Sequence, residues 1–225
     1  MALTRKKSFL FSNEMVTLAL DEGKIAVHNE VLMQSAYFQR WLTPMEQTPV
    51  AKGVLHIQGY KKATGIEMAN WLYSATSSSF TSDTLNTTGT EAVERGWRLV
   101  DAYRLARDTE LEEWQNHLAD AFLEIADQDV PWMRYLQRLC TPEEPDTGLV
   151  GLLFTALARD IRRHGWEEYM NKIETSLVKA LHGNGKFATR LMKRVLESEG
   201  VSEKSFKATS CKWHIHNHTP QCAGI

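Results

Sequence analysis

The sequence predicts an α+β fold: a small sheet flanked by helices, followed by an all-helical C-terminal region. Three observations carry this. Residues 15–27 read as a β-hairpin, with a third β-rich segment at 54–57. Two sites, Thr88-x-x-Glu91 and Thr109-x-x-Glu112, match the capping box that opens helices. From residue 111 onward apolar residues recur every three or four positions, the spacing of a helix face and not of a strand.

The elements follow in order. Met15-Val16-Thr17-Leu18-Ala19-Leu20 puts Val16, Leu18 and Leu20 on one strand face. Asp21-Glu22-Gly23-Lys24 is turn chemistry, with a glycine for positive φ, and Ile25-Ala26-Val27 returns as the second strand. Asn29 is then the expected cap of a helix carrying Val31, Leu32, Ser35, Phe38 and Leu42. Pro44 and Pro49 bracket a loop. In the third strand Leu55 and Ile57 share one face, Val54 and His56 the other, and Gly59 ends it. A helix over 63–75 has Ile66, Ala69, Leu72 and Tyr73 as its stripe, and the Ser/Thr-rich residues 76–90 read as a surface loop.

The two capped helices form a hairpin. The first carries Val93, Trp97, Val100 and Leu105; the second carries Leu111, Trp114, Leu118, Phe122 and Ile125. Pro131 suits the first turn of a helix ending near Leu139, and 141–146 is a break. Leu149, Leu152, Leu153, Ala156, Leu157 and Ile161 form one stripe. Arg159, Arg162 and Arg163 lie where cations oppose the helix dipole, a solvated end before an anion site, and Gly165 stops the helix. Two more helices are expected over 166–181 and 186–199, before a polar tail.

Composition narrows the function. The chain has 225 residues, 43% hydrophobic and 24% charged, enough for a sizeable core. With 26 Lys+Arg against 28 Asp+Glu the net charge is −2, which argues against a protein built to wrap phosphate or an acidic membrane. The three cysteines, Cys140, Cys211 and Cys222, form no disulfide framework. The N-terminal apolar run at 9–11 is too short for a signal-peptide core, and the longest, over 148–158, is about half a membrane span. An intracellular chain, cytoplasmic or nuclear, is the expectation. There is no Gly-rich phosphate loop, no Gly-x-Ser-x-Gly elbow and no His-Glu-x-x-His, and pairs such as Glu112-Glu113 read as solvated, so no enzyme is expected.

One string is more specific. Ile25-Ala26-Val27-His28-Asn29-Glu30-Val31-Leu32-Met33-Gln34-Ser35-Ala36-Tyr37-Phe38, entered from Met15-Val16-Thr17-Leu18, resembles the signature of a BTB/POZ domain. Val54-Leu55-His56-Ile57 resembles the family's third strand, Ala69-Asn70-Trp71-Leu72-Tyr73-Ser74 its helix closing on an aliphatic-Tyr pair, and residues 99–108 its stretch before a capped helix. The resemblance covers residues 9–126. Residues 127–200 then look like the helical extension of the family's fungal branch, and 201–225 like its Cys/His-bearing tail. It implies a protein–protein interaction module acting as adaptor or scaffold, with His28 structural. The tryptophans 41, 71, 97, 114 and 166, at or near apolar helix positions, read as core or partner groove. A nucleic-acid-associated regulator is the alternative.

Two departures bear on partners. Adaptor members carry a hydrophobic-x-Glu motif that binds a cullin-type ubiquitin ligase scaffold. Here the matching residues are Met45-Glu46-Gln47, and Gln47 lacks the charge, so weak cullin binding is expected, with Leu42, Met45 and Gln47 as the candidate protein-binding residues. Self-associating members place an Asp on the first strand and a basic residue after the His. Met15 and Asn29 stand there instead, which fits a monomer or a dimer with a more apolar seam. Finally, the tail offers two thiols and three imidazoles within twelve residues. Cys211, His214, His216 and Cys222 are the expected ligands of a structural zinc ion, with His218 as substitute for either histidine.

Overall fold

The computed structural model describes residues 13–46, 54–76, 89–125, 130–139, 147–172, 185–197, 210–218 and 222. The chain packs as two compact units, residues 1–85 with 105–111 and residues 86–104 with 112–225. Residues 89–104 and 112–124, most of the expected helical hairpin, fall in the second unit.

The first unit is built on a three-stranded sheet in the order β2-β1-β3. β1 (Met15–Leu20) pairs antiparallel with β2 (Gly23–His28), in a register running from Met15 opposite His28 to Leu20 opposite Gly23. β3 (Val54–His56) pairs parallel with β1, Leu55 opposite Leu18. The period-2 pattern is obeyed: Val16, Leu18 and Leu20 are buried, as are Leu55 and Ile57, and Gly23 has φ +148°.

The helical stretch after the hairpin is two helices, not one. α1 (Asn29–Leu32) starts after His28, so Asn29 is its first residue and not its cap. α2 (Ala36–Glu46) follows a break at 33–35 and continues past Pro44, where a loop was expected. The break has a purpose in packing. It turns the Ser35 hydroxyl to donate to the carbonyl of Thr109 at 2.8 Å, in a buried position, while Phe38 and Leu42 enter the core. α3 (Lys62–Thr76) packs on β1 and β2 through Thr64, Met68, Ala69 and Leu72. Ile66 is exposed, one position off the stripe on which it was expected. The Ser/Thr-rich segment lies outside the described residues from 77 to 88.

α4 (Gly89–Asp108) belongs to the second unit through Arg104, and its last turn to the first. Residues 108–111 close the first unit: Tyr60 hydrogen-bonds Asp108, and Arg40 makes a two-bond ion pair with Glu110, which holds φ +54°. The Glu110 carboxylate raises the pKa of Arg40. The capping box expected at Thr109 is not the arrangement found. α5 (Glu112–Glu124) makes Glu112 its first residue rather than its third, and Thr109 directs both its N–H and its hydroxyl back to the carbonyl of Leu105.

In the second unit α5, α6 (Trp132–Leu139), α8 (Trp166–Lys172) and α9 (Gly185–Glu197) all pack on α7 (Gly148–His164). α7 is apolar nearly all round from Leu149 to Ala158 and is buried all round, as such a helix must be. Tyr135 on α6 is fully buried. Trp97, Phe122 and Trp132 meet its ring edge-on at 4.8, 5.7 and 6.3 Å, and its hydroxyl donates to the carbonyl of Val93 at 2.8 Å. Burial raises the pKa of that phenol. The second expected C-terminal helix is found; of the first, residues 173–181 lie outside the described residues, as does the break at 141–146. Among the described residues no helix is long and apolar enough to cross a membrane.

Candidate functional site

The tail returns to the second unit and lies on α5. A short 3-10 turn, Ser210–Trp213, packs against α5 and α7 and buries Trp213. Residues 214–218 then run along a polar face of α5. Glu112, Asn116 and Asp120 sit four residues apart, the spacing that aligns side chains on one helix face.

Each of these side chains holds a different group of the tail. Asp120 Oδ1 lies 2.9 Å from His214 Nε2. The Asn116 amide closes both backbone groups of Ile215, accepting its N–H at 2.7 Å and donating to its carbonyl at 2.9 Å. Glu112, buried to 7% exposure, accepts the N–H groups of Asn217 and His218 at 3.1 Å. The lengths agree. Eight residues of helix rise about 12 Å, and three or four extended residues span about 10–14 Å.

Beyond this ladder three ligand atoms converge. His214, His216 and Cys222 each offer one, all within 4.8 Å of one another. His214 Nδ1 is 3.1 Å from Cys222 Sγ, and His216 Nε2 is 3.8 Å from the same sulfur. In a tetrahedral site with zinc–sulfur and zinc–nitrogen bonds near 2.3 and 2.05 Å, the N···S edge is about 3.6 Å. The two observed N···S distances bracket that edge. The cluster could hold a metal ion.

Three of the four expected ligands are therefore together. The side chain of Cys211 lies outside the described residues. His218, the expected substitute, is exposed and gives its backbone N–H to Glu112; its ring is not part of the group. Glu112, Asn116 and Asp120 were not legible as a binding face. Their four-residue spacing was available, but three polar residues on a helix read first as solvated surface.

The other expected contact residues lie in the first unit. Leu42 is 3% exposed and belongs to its core. Its neighbour Trp41 is 51% exposed and tilts against Tyr37 at 6.5 Å between ring centroids. The Met45 side chain and all of Gln47 lie outside the described residues. His28 is occupied by Tyr73, whose hydroxyl accepts its backbone N–H at 3.0 Å and shares a 2.6 Å hydrogen bond with Nδ1. Cys140 lies outside the described residues. Compared with known proteins, the chain matches no family model and no curated protein.

Proposed function

We propose that the chain is a non-catalytic protein–protein interaction module of the BTB/POZ kind, an adaptor or scaffold, with a structural zinc ion at its tail cluster. The observation that supports the module reading is the fate of the string 27–38. Its three distinctive residues are engaged in one unit: His28 on Tyr73, Ser35 on the Thr109 carbonyl, and Phe38 with no exposed surface. Beside them Trp41 presents a large aromatic surface, the chemistry that anchors protein interfaces. The zinc reading rests on the donor set: one thiolate with two imidazoles suits that ion.

Two measurements test the module. Affinity purification of the intact chain, read by mass spectrometry, is expected to recover a stoichiometric protein partner. Calorimetry against a cullin N-terminal region is expected to show weak or absent binding, strengthened in Gln47→Glu. Recovery of no stoichiometric protein, with duplex DNA bound at micromolar or better and steeply salt-dependent affinity, would replace this reading by the nucleic-acid regulator.

A further inference from the structure

We infer that Asp120 on α5 is the positioning residue of the tail metal site, and that the ion clasps residues 214–218 onto α5. The inference rests on the zinc reading above and extends it to a residue 94 positions upstream of the first ligand. His214 uses its two ring nitrogens in two directions: Nε2 meets the Asp120 carboxylate at 2.9 Å, and Nδ1 faces Cys222 Sγ at 3.1 Å. A carboxylate on one imidazole nitrogen fixes the tautomer that leaves a lone pair on the other and raises its basicity toward a metal. Asp120 thus holds the proton at Nε2 and presents Nδ1 to the ion.

A single Asp–His–Cys line would also suit an activated thiol. Here a second imidazole, His216, approaches the same sulfur from another direction, at 3.8 Å. A nucleophile needs one base; two nitrogens converging on one sulfur describe a coordination site.

The clasp follows from what the tail lacks. Of residues 214–218 none is buried, and Ile215, their one aliphatic side chain, is half-buried. Asn116 and Glu112 hold backbone groups of Ile215, Asn217 and His218. The ion adds the missing terminus of this ladder, joining His214, already on α5 through Asp120, to Cys222 at the chain's far end. Metal binding and tail docking are then linked, so each strengthens the other.

The test uses the full chain, purified without a histidine tag and kept reduced. Cobalt(II) is titrated into the metal-free protein and competed with zinc, and amide hydrogen exchange is read for residues 214–218. Wild type should bind one equivalent with a thiolate-to-cobalt absorption band that is weakened in Cys222→Ser and absent when Cys211→Ser is added to it. Asp120→Ala should weaken cobalt affinity about 10–100-fold, with Asp120→Asn, which keeps an oxygen acceptor, in between. Zinc should slow exchange in 214–218 in wild type and much less in Asp120→Ala. Circular dichroism of the metal-free variants controls for folding. Uptake below roughly a tenth of an equivalent by wild type defeats the zinc reading itself. Normal uptake by wild type with affinities of both Asp120 variants within twofold, and equal slowing of exchange, defeats only the clasp.

Discussion

The two compact units place their long-range polar ties differently. In the first, three ties are single hydroxyls joined to a packed core, Tyr73 on His28, Ser35 on Thr109 and Tyr60 on Asp108, beside the exposed Arg40–Glu110 ion pair. The segments they join are already brought together by Leu18, Val27, Phe38 and Leu72, none with appreciable exposure. In the second, the tail beyond Trp213 adds little to the core, and three polar side chains of one helix face hold it, Asn116 and Glu112 by its backbone and Asp120 by the His214 ring. The difference teaches which interactions decide each structure. Apolar burial sets the first unit and the polar ties trim it; along the tail the polar ties do the setting.

If that contrast is right, the largest single effect lies in the core of the first unit. Phe38→Ala should lower stability by about 3–5 kcal/mol, the range for emptying a buried aromatic site. The residue has no exposed surface and meets Tyr37 edge-on at 5.2 Å. Denaturant midpoints of wild type and variant decide it. A change within error would remove the ground for calling this unit packing-ordered.

A second variant probes the core of the helical unit. Gly96 lies on α4 directly over Tyr135, so close that an added Cβ would overlap the ring and hydroxyl. Alanine favours a helix interior by about 0.5–1 kcal/mol, and overpacking opposes it by about 1–3 kcal/mol. Tyr135 is enclosed by Trp97, Phe122 and Trp132 and bonded to Val93, so the ring has nowhere to retreat. Gly96→Ala should therefore lower stability by roughly 1–2 kcal/mol net, read as a lower urea midpoint. A higher midpoint would mean that the aromatic cluster yields, and that this core is looser than that of the first unit.

The same contrast explains what was legible in the sequence. Strand alternation at 15–20 and helix periodicity at 111–125 and 149–161 report burial, and burial follows composition locally. The stripe on α3 was displaced because Ile66, though apolar, lies off the face defined by Thr64, Met68 and Leu72. The break at 33–35 was hidden because Val31, Leu32, Ser35 and Phe38 keep helical spacing across it. At the break the Ser35 hydroxyl bonds a carbonyl 74 residues away, which local spacing does not report. The tail ligands were visible as a cluster of soft donors, whereas Glu112 and Asp120 were not. A carboxylate on a helix face carries no mark that distinguishes a solvated group from one holding a distant backbone.

The smallest effect belongs to a polar tie of the first unit, where the contrast is most exposed to refutation. Tyr73 and His28 are both half-buried, so water can replace either partner when one is removed. A net hydrogen bond in such a place contributes about 0.5–1.5 kcal/mol. Tyr73→Phe removes the hydroxyl from both the His28 N–H and Nδ1; His28→Ala removes only the ring. A double-mutant cycle of the two therefore isolates the ring–hydroxyl bond, and its coupling energy is expected near 1 kcal/mol. That value is well below the loss in Phe38→Ala, as a tie trimming a formed core requires. A coupling of 3 kcal/mol or more would invert the ranking. The strand end at His28 would then be held in place by its tyrosine, and the first unit would be ordered by polar contacts in the way the tail is.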